Sequence, residues 1–140
     1  MLVVPTRVRP DAHGGLGLFA AADLAVRTVV WEFHPEVDRI FTPETVAGFH
    51  PSFRAFLDVY AYPVFDHDAD GRPVRIRGYG LNTDDARFIN HGEPPSLRDV
   101  PGGPLLAARD IAAGEELTID YRAFDLDGSI YADHPFLGGR

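Results

Sequence analysis

The shortness of the β-prone runs is the feature that most constrains the fold. Six such runs are visible, each bounded by Gly, Pro or Asp residues that favour turns: 2–8, 17–21, 29–33, 74–76, 105–108 and 117–120. The 14 Gly and 12 Pro are scattered without forming a linker, and there is no internal repeat or low-complexity tract. The sequence therefore predicts a single domain over residues 1–140 that is mainly β, with short helices and several small sheets rather than one large sheet.

The middle of the chain carries the clearest helical pattern. Apolar side chains recur with the period of an α-helix after Pro51-Ser52: Phe53, Phe56, Leu57 and Tyr60. Just before them, Thr42 is placed to cap a shorter helix that has Pro43 at its first position. We expect these helices to form an insert over about residues 41–60.

Composition limits the kinds of partner. The net charge is −8, and all thirteen basic residues are arginine, because the chain contains no lysine. An acidic surface favours basic partners and disfavours phosphate backbones, so we expect no direct contact with nucleic acid. With no apolar run of about 18 residues and no signal-like start, we expect a soluble, cytoplasmic protein without membrane contact. The oligomeric state is left open.

The sequence predicts no metal site and no hydrolase. There is no cysteine, and the six histidines lack close ligand spacing: His13, His34, His50, His67, His91 and His134. Residues 66–71 imitate the first half of a calcium loop, but Arg77 stands where a bidentate Glu would close it, so we expect a polar hairpin turn. A G-x-S-x-G nucleophile turn is also missing.

Two motifs carry the functional prediction. The first, Arg87-Phe88-Ile89-Asn90-His91, follows a helix-capping pattern at Thr83-Asp84-Asp85, and the second runs from Gly114 to Tyr121 as GEELTIDY. In this order the pair resembles the signature of the SET-domain protein lysine methyltransferases. The resemblance implies that family's fold, with small β-sheets and a knot-like threading of the C-terminal segment past Asn90-His91.

The resemblance also implies S-adenosylmethionine as cofactor and S-adenosylhomocysteine as product. Gly15-Leu16-Gly17 is similar to the family's Gly-x-Gly, which lines the cofactor pocket with backbone groups. The G-x-G-x-x-G pattern of a dinucleotide-binding loop is missing. Asn90 would hold the methionine part, and the backbone of His91 would contact the adenine. The cofactor residues implied are Gly15, Leu16, Gly17, Leu18, Arg87, Phe88, Asn90, His91, Tyr121 and Phe136.

Catalysis would centre on Tyr121, with Tyr62 lining the lysine channel. Methyl transfer is an in-line displacement that needs alignment and a deprotonated amine, and the Tyr121 hydroxyl would orient that amine. Ile119 occupies the channel position two residues before Tyr121, where the family's Tyr favours one methyl group and its Phe permits more. Because Ile119 has no hydroxyl, we expect that di- or trimethylation is not blocked.

Departures from the family's pattern leave an alternative open. Residues 92–96 read Gly-Glu-Pro-Pro-Ser where Ser-Cys-x-Pro-Asn is usual, so Ser96 replaces an Asn that makes a supporting hydrogen bond. Residues 97–104 are shorter than the usual hairpin, which predicts a trimmed strand pair. These changes favour a non-catalytic SET-like module that binds a protein partner and possibly the cofactor.

The tail supports the enzyme instead. Residues 129–137 resemble the C-terminal flank of the family's histone H4 lysine monomethyltransferase, in which a Trp stacks on adenine, as Phe136 would here. A tail over about residues 122–140 would then cover the cofactor.

Overall fold

The structure is a computed structural model that describes residues 1–124. Phe136 and the tail beyond residue 124 lie outside the described residues. Ten strands are present in the described part: β1 (Thr6–Pro10), β2 (Leu16–Ala20), β3 (Val29–Trp31), β4 (Asp38–Phe41), β5 (Tyr62–His67), β6 (Pro73–Asn82), β7 (Asn90–His91), β8 (Leu97–Asp99), β9 (Leu105–Ala107) and β10 (Thr118–Ile119). The helices are α1 (Pro43–Ala47) and α2 (Pro51–Tyr60), with 3-10 turns at Asp85–Phe88 and Tyr121–Phe124.

The strands form four small sheets within the described residues. Two are two-stranded, β1-β2 and β10-β7, and two are three-stranded, β3-β9-β8 and β4-β6-β5. The prediction of a mainly β chain with several small sheets is therefore confirmed. The knot-like threading stays a prediction.

The chain divides into two compact units. The first contains residues 1–38 and 82–120, and the second contains residues 39–81 and, within the described part, 121–124. The core of the first unit is built from side chains of several sheets, among them Leu18, Val30, Leu97, Ile111 and Leu117. Each such side chain contributes about 1.5–3 kcal/mol when it leaves water, so this unit is held chiefly by aliphatic burial.

The second unit contains both helices and most of the sheet β4-β6-β5, with Leu57, Phe65 and Leu81 buried. The helix starts confirm the capping predictions, because the Thr42 hydroxyl accepts from the Thr45 N–H and Pro43 is the first residue of α1. The helix α2 begins at Pro51 and is capped by the His50 ring. Aromatic rings pack in succession along this insert, with centroids 4.8–6.4 Å apart: Phe41, Phe49, Phe53, Phe56 and Tyr60.

The turn between β5 and β6 is the predicted polar hairpin. Asp68 Oδ1 accepts from the N–H groups of Asp70 and Arg72, and Gly71 adopts φ +77°, which favours glycine. This carboxylate therefore serves the backbone of its own turn. Within residues 1–124, no helix is long and apolar enough to cross a membrane.

Candidate functional site

The two sequence motifs lie side by side in the first unit. Strand β7 pairs in parallel with β10, so that Asn90 is opposite Thr118 and His91 is opposite Ile119. The Gly92 N–H extends the pairing by donating to the Ile119 carbonyl over 3.0 Å. Parallel pairing needs a long crossover between the strands, which here carries β8 and β9. The two motifs, which are separate along the sequence, are therefore adjacent in one parallel strand pair.

The Asn90 side chain is the centre of a hydrogen-bond network. Its Nδ2 lies 2.9 Å from the Leu16 carbonyl, 3.0 Å from Glu116 Oε1 and 3.1 Å from Asp11 Oδ2. An amide nitrogen carries two hydrogens, so three acceptors share two donors. Three acceptors around one end of the amide identify that end as nitrogen. The network therefore brings the predicted Gly-x-Gly loop and Asn90 together, and adds two carboxylates that the sequence analysis missed.

The glycines of the loop are explained by these carboxylates. A Cβ on Gly17 would collide with Glu116 Oε1 and would lie 3.2 Å from Asn90 Nδ2. A Cβ on Gly15 would lie 3.1 Å from Asp11 Oδ2. The close approach that the Gly-x-Gly pattern predicts is therefore made, within the described residues, by the chain's own side chains. Leu16 is 48% exposed, whereas Leu18 is fully buried in the core.

Asp11 fixes the turn that precedes this loop. Its N–H donates to the Gly15 carbonyl over 3.0 Å, and its Oδ1 accepts from the N–H groups of His13 and Gly15 at 2.8 Å and 2.9 Å. The Gly15 N–H is the main cause that lowers the pKa of Asp11 below its ordinary value of 3.8, because it stabilises the ionised form, while burial opposes it. Asp11 is thus an ionised acceptor at neutral pH.

Ser96 ties the altered segment to β10. This residue is 2% exposed, and its Oγ donates to the Glu116 carbonyl over 3.0 Å and accepts from the Thr118 N–H over 2.9 Å. The Ser96 N–H in turn donates to Thr118 Oγ1. Ser96 thus holds this segment to β10 through its hydroxyl and its backbone N–H.

Gly92 is required by the same packing. A Cβ at this position would collide with the Thr118 side chain. The glycine that stands in place of the family's Ser therefore leaves room for Thr118, which accepts the Ser96 N–H. The strands β8 and β9 pair over three residues each, and a trimmed strand pair relative to the family stays a prediction.

The side chains of other residues in the two motifs make contacts of different kinds. The His91 side chain is 3% exposed, with Nδ1 3.7 Å from Asp120 Oδ1, a contact that is ionic only if the imidazole is protonated. Phe88 and Ile119 pack against the hydrophobic core. The Arg87 guanidinium lies over the Phe88 ring, 4.8 Å from its centroid. The roles predicted for Arg87, Phe88 and His91 toward a cofactor stay predictions.

The two predicted tyrosines lie in the second unit. Tyr62 begins β5 opposite Gly80, and its ring covers that glycine so closely that a Cβ there would collide with the ring. Tyr121 begins the 3-10 turn Tyr121–Phe124, which lies against β5. Both tyrosines are partly buried. The elements that carry the two tyrosines are therefore neighbours.

No group of three His, Cys, Asp or Glu side chains within the described part of the chain is arranged to hold a metal ion. The family model of the SET domain matches residues 15–122, more than half of the chain. A comparison with curated proteins gives no match.

Proposed function

The chain belongs to the SET-domain family, and on that basis we propose that it is an S-adenosylmethionine-dependent protein-lysine N-methyltransferase. SET domains typically catalyse this reaction and bind protein substrates. The observation that carries the proposal is the network around Asn90, in which the Gly-x-Gly loop meets both motifs of the family. We propose a lysine in a basic protein segment as the substrate, since the chain has a net charge of −8.

The residues present fit the cofactor. Gly15 is exposed, whereas Gly17 is buried against Glu116 and Asn90. The Asn90 amide bonds within residues 1–124 through its nitrogen alone. Its Oδ1 therefore remains as an acceptor for the amino group of a methionine moiety. When bound, S-adenosylmethionine supplies an electrophilic methyl group on a sulfonium.

In this proposal Asn90, Gly15, Gly17 and the His91 backbone bind and orient the cofactor, with Leu16, Leu18, Arg87 and Phe88 beside them. Phe136 would stack on the adenine, as the tail's similarity to the histone H4 lysine monomethyltransferase suggests. Alignment of the two reactants is the chain's main contribution, worth on the order of 7 kcal/mol or more for well-oriented groups.

Tyr121 and Tyr62 would act on the lysine. A free lysine has a pKa of about 10.4 and is almost wholly protonated at neutral pH. An aromatic channel disfavours the ammonium form by desolvation, and thereby lowers the pKa of the amine. The Tyr121 hydroxyl would then hold the neutral amine with its lone pair toward the methyl group. Ile119, which lacks a hydroxyl, would permit a second and third methylation.

The decisive experiment is titration calorimetry with S-adenosylmethionine, followed by methylation of a basic peptide and mass spectrometry of the product. We expect binding, turnover, and loss of turnover in Tyr121→Phe, while Tyr79→Phe, a tyrosine of β6 outside the proposed site, serves as the matched control. Binding without turnover, unchanged by Tyr121→Phe, would instead indicate a non-catalytic module. A product with only one methyl group would contradict the role given to Ile119.

The substrate can be found by labelling it in a cell extract. An extract incubated with the protein and methyl-labelled S-adenosylmethionine would yield a labelled protein, whose modified residue mass spectrometry identifies. Fractionation of the cells would test the cytoplasmic location that the sequence predicts.

A further inference from the structure

Two turns in the described part of the chain have the same construction. In each, an aspartate N–H donates to the carbonyl four residues ahead, and Oδ1 accepts from the N–H groups two and four residues ahead. Asp11 builds one turn before β2, and Asp68 builds the other between β5 and β6. The two carboxylates therefore accept the same hydrogen bonds within their turns through Oδ1. Any difference between their roles must come from their second oxygens, Oδ2.

The second oxygens differ. Asp11 Oδ2 lies 3.1 Å from Asn90 Nδ2, a contact across 79 residues of sequence. Asp68 makes its side-chain hydrogen bonds, among the described residues, only within its own turn. The Asp68 turn is therefore a control for the hydrogen bonds that Asp11 makes within its own turn, because Asp11 makes the additional contact with Asn90.

Three contacts together determine which way the Asn90 amide faces, and Asp11 supplies one of them. Rotation by half a turn would place Oδ1 against the Asp11 carboxylate, the Glu116 carboxylate and the Leu16 carbonyl, four oxygens with no hydrogen between them. Asp11 suits this task because an ionised carboxylate accepts at both oxygens, so one can serve the turn and the other Asn90.

We infer that Asp11 is a positioning residue for the cofactor site, one that holds the Asn90 amide with Oδ1 directed to the ligand. This inference rests on the proposed function. It makes the turn before the Gly-x-Gly loop part of the apparatus that orients the cofactor, although Asp11 itself need not touch it.

The test uses Asp11→Asn, with Asp68→Asn as the matched control. An asparagine keeps one oxygen to accept from both turn N–H groups, but offers Asn90 a second NH₂ group in place of the carboxylate oxygen. We expect Asp11→Asn to weaken S-adenosylmethionine binding by about tenfold, as for loss of one charge-assisted hydrogen bond. The KM for the cofactor should rise while kcat at saturation changes little, and Asp68→Asn should match the wild type in both.

Nuclear magnetic resonance of the cofactor-free protein gives a readout that does not depend on activity. The two Asn90 side-chain amide protons should be well separated and protected from exchange in the wild type and in Asp68→Asn. They should exchange faster in Asp11→Asn, in which Leu16 and Glu116 remain as acceptors. If Asp11→Asn fails to fold, Asp11→Ser replaces it, since its hydroxyl can cap the turn but has no second oxygen.

The outcomes separate the two proposals. A wild type that does not bind S-adenosylmethionine overturns the proposed function, whatever the resonance data show. A wild type that binds, together with an Asp11→Asn variant that binds equally well or keeps the protected amide protons, overturns only the role of Asp11. Equal losses of cofactor binding in Asp11→Asn and Asp68→Asn would mean that Asp11 acts only as a turn cap. That result would also overturn its positioning role.

Discussion

The Asn90 amide is held by side chains that are distant from it along the chain, because Asp11 Oδ2 and Glu116 Oε1 both accept from its Nδ2. Asn90 stands in a recognisable motif, whereas its contacts to Asp11 and Glu116 span 79 and 26 residues and leave no local pattern. Gly15 and Gly17 carry the only hint, because a glycine marks a close approach without saying what approaches. Here the groups that approach, within the described residues, are carboxylates of the chain itself.

Replacement of Gly17 by alanine tests that explanation. The added Cβ would displace the Glu116 carboxylate and break its bond to Asn90, so we expect a loss of stability of about 1 kcal/mol and cofactor affinity weakened by roughly tenfold or more. Urea unfolding and calorimetry measure the two effects. Gly48→Ala is the matched control, because its Cβ would meet nothing closer than the Thr45 carbonyl at 3.5 Å. Wild-type affinity in Gly17→Ala would contradict the explanation.

Among the helices and strands, the start of a helix can be predicted from local residues, whereas pairing between distant strands cannot. The starts of α1 and α2 follow from Thr42, Pro43 and Pro51, because caps and proline act within one turn. The strands β4 and β8, which contain Asp38-Arg39 and Arg98-Asp99, are not visible in the sequence, because short charged strands form only against a partner. The run at 74–76 extends to Pro73–Asn82 for the same reason, since β6 pairs with two neighbours.

The strand β10 depends on Ser96, and Ser96→Ala measures how strongly. The substitution removes the bonds to the Glu116 carbonyl and the Thr118 N–H in a buried place, which should cost about 1–3 kcal/mol of unfolding free energy. The Thr118 amide should also exchange its hydrogen faster. Ser52→Ala removes a hydroxyl of α2 that lies 2.7 Å from His50 Nδ1, so it tests loss of a serine elsewhere and should leave the Thr118 exchange rate near the wild-type value. An unchanged exchange rate at Thr118 would mean that Ser96 does not anchor the strand.

The turn before β10 should show a measurable pH dependence. The Ala112 N–H is the main cause that lowers the pKa of Glu115 below its ordinary value of 4.5, with Arg109 adding to it and desolvation opposing. A lowered folded-state pKa means that the stabilisation is present above the ordinary value and is lost as the pH falls through the folded pKa. The Tm difference between wild type and Glu115→Gln should therefore shrink as the pH falls below the ordinary value of 4.5. A constant difference would contradict this assignment.

At the scale of the whole molecule, charge is the property that the sequence predicts most directly. The chain has 13 basic and 21 acidic residues, all the basic ones arginine, and this asymmetry needs no structure to be seen. The division into two compact units could not be predicted, because each unit joins segments that are distant along the chain. Long-range closure of that kind depends on packing that no local pattern records.

Salt should weaken the binding of a basic peptide substrate. Between about 0.1 M and about 1 M salt the Debye length falls from about 10 Å to about 3 Å, so attraction between the acidic chain and the peptide is screened. We expect the KM for the peptide to rise severalfold with little change in kcat. A peptide with the same target lysine and no other charge provides the control. A peptide KM that does not change with salt would contradict the prediction that charge attracts the substrate.

The hydrogen bonds around Asn90 also determine when the site can form during synthesis of the chain. Asp11 leaves the ribosome 79 residues before Asn90, and Glu116 follows 26 residues after it. At roughly 5–20 residues per second, Asp11 waits about 4–16 s for the amide that it holds. A nascent chain therefore carries its Gly-x-Gly loop without the partners that order it, and acquires the complete constellation only once Glu116 has emerged.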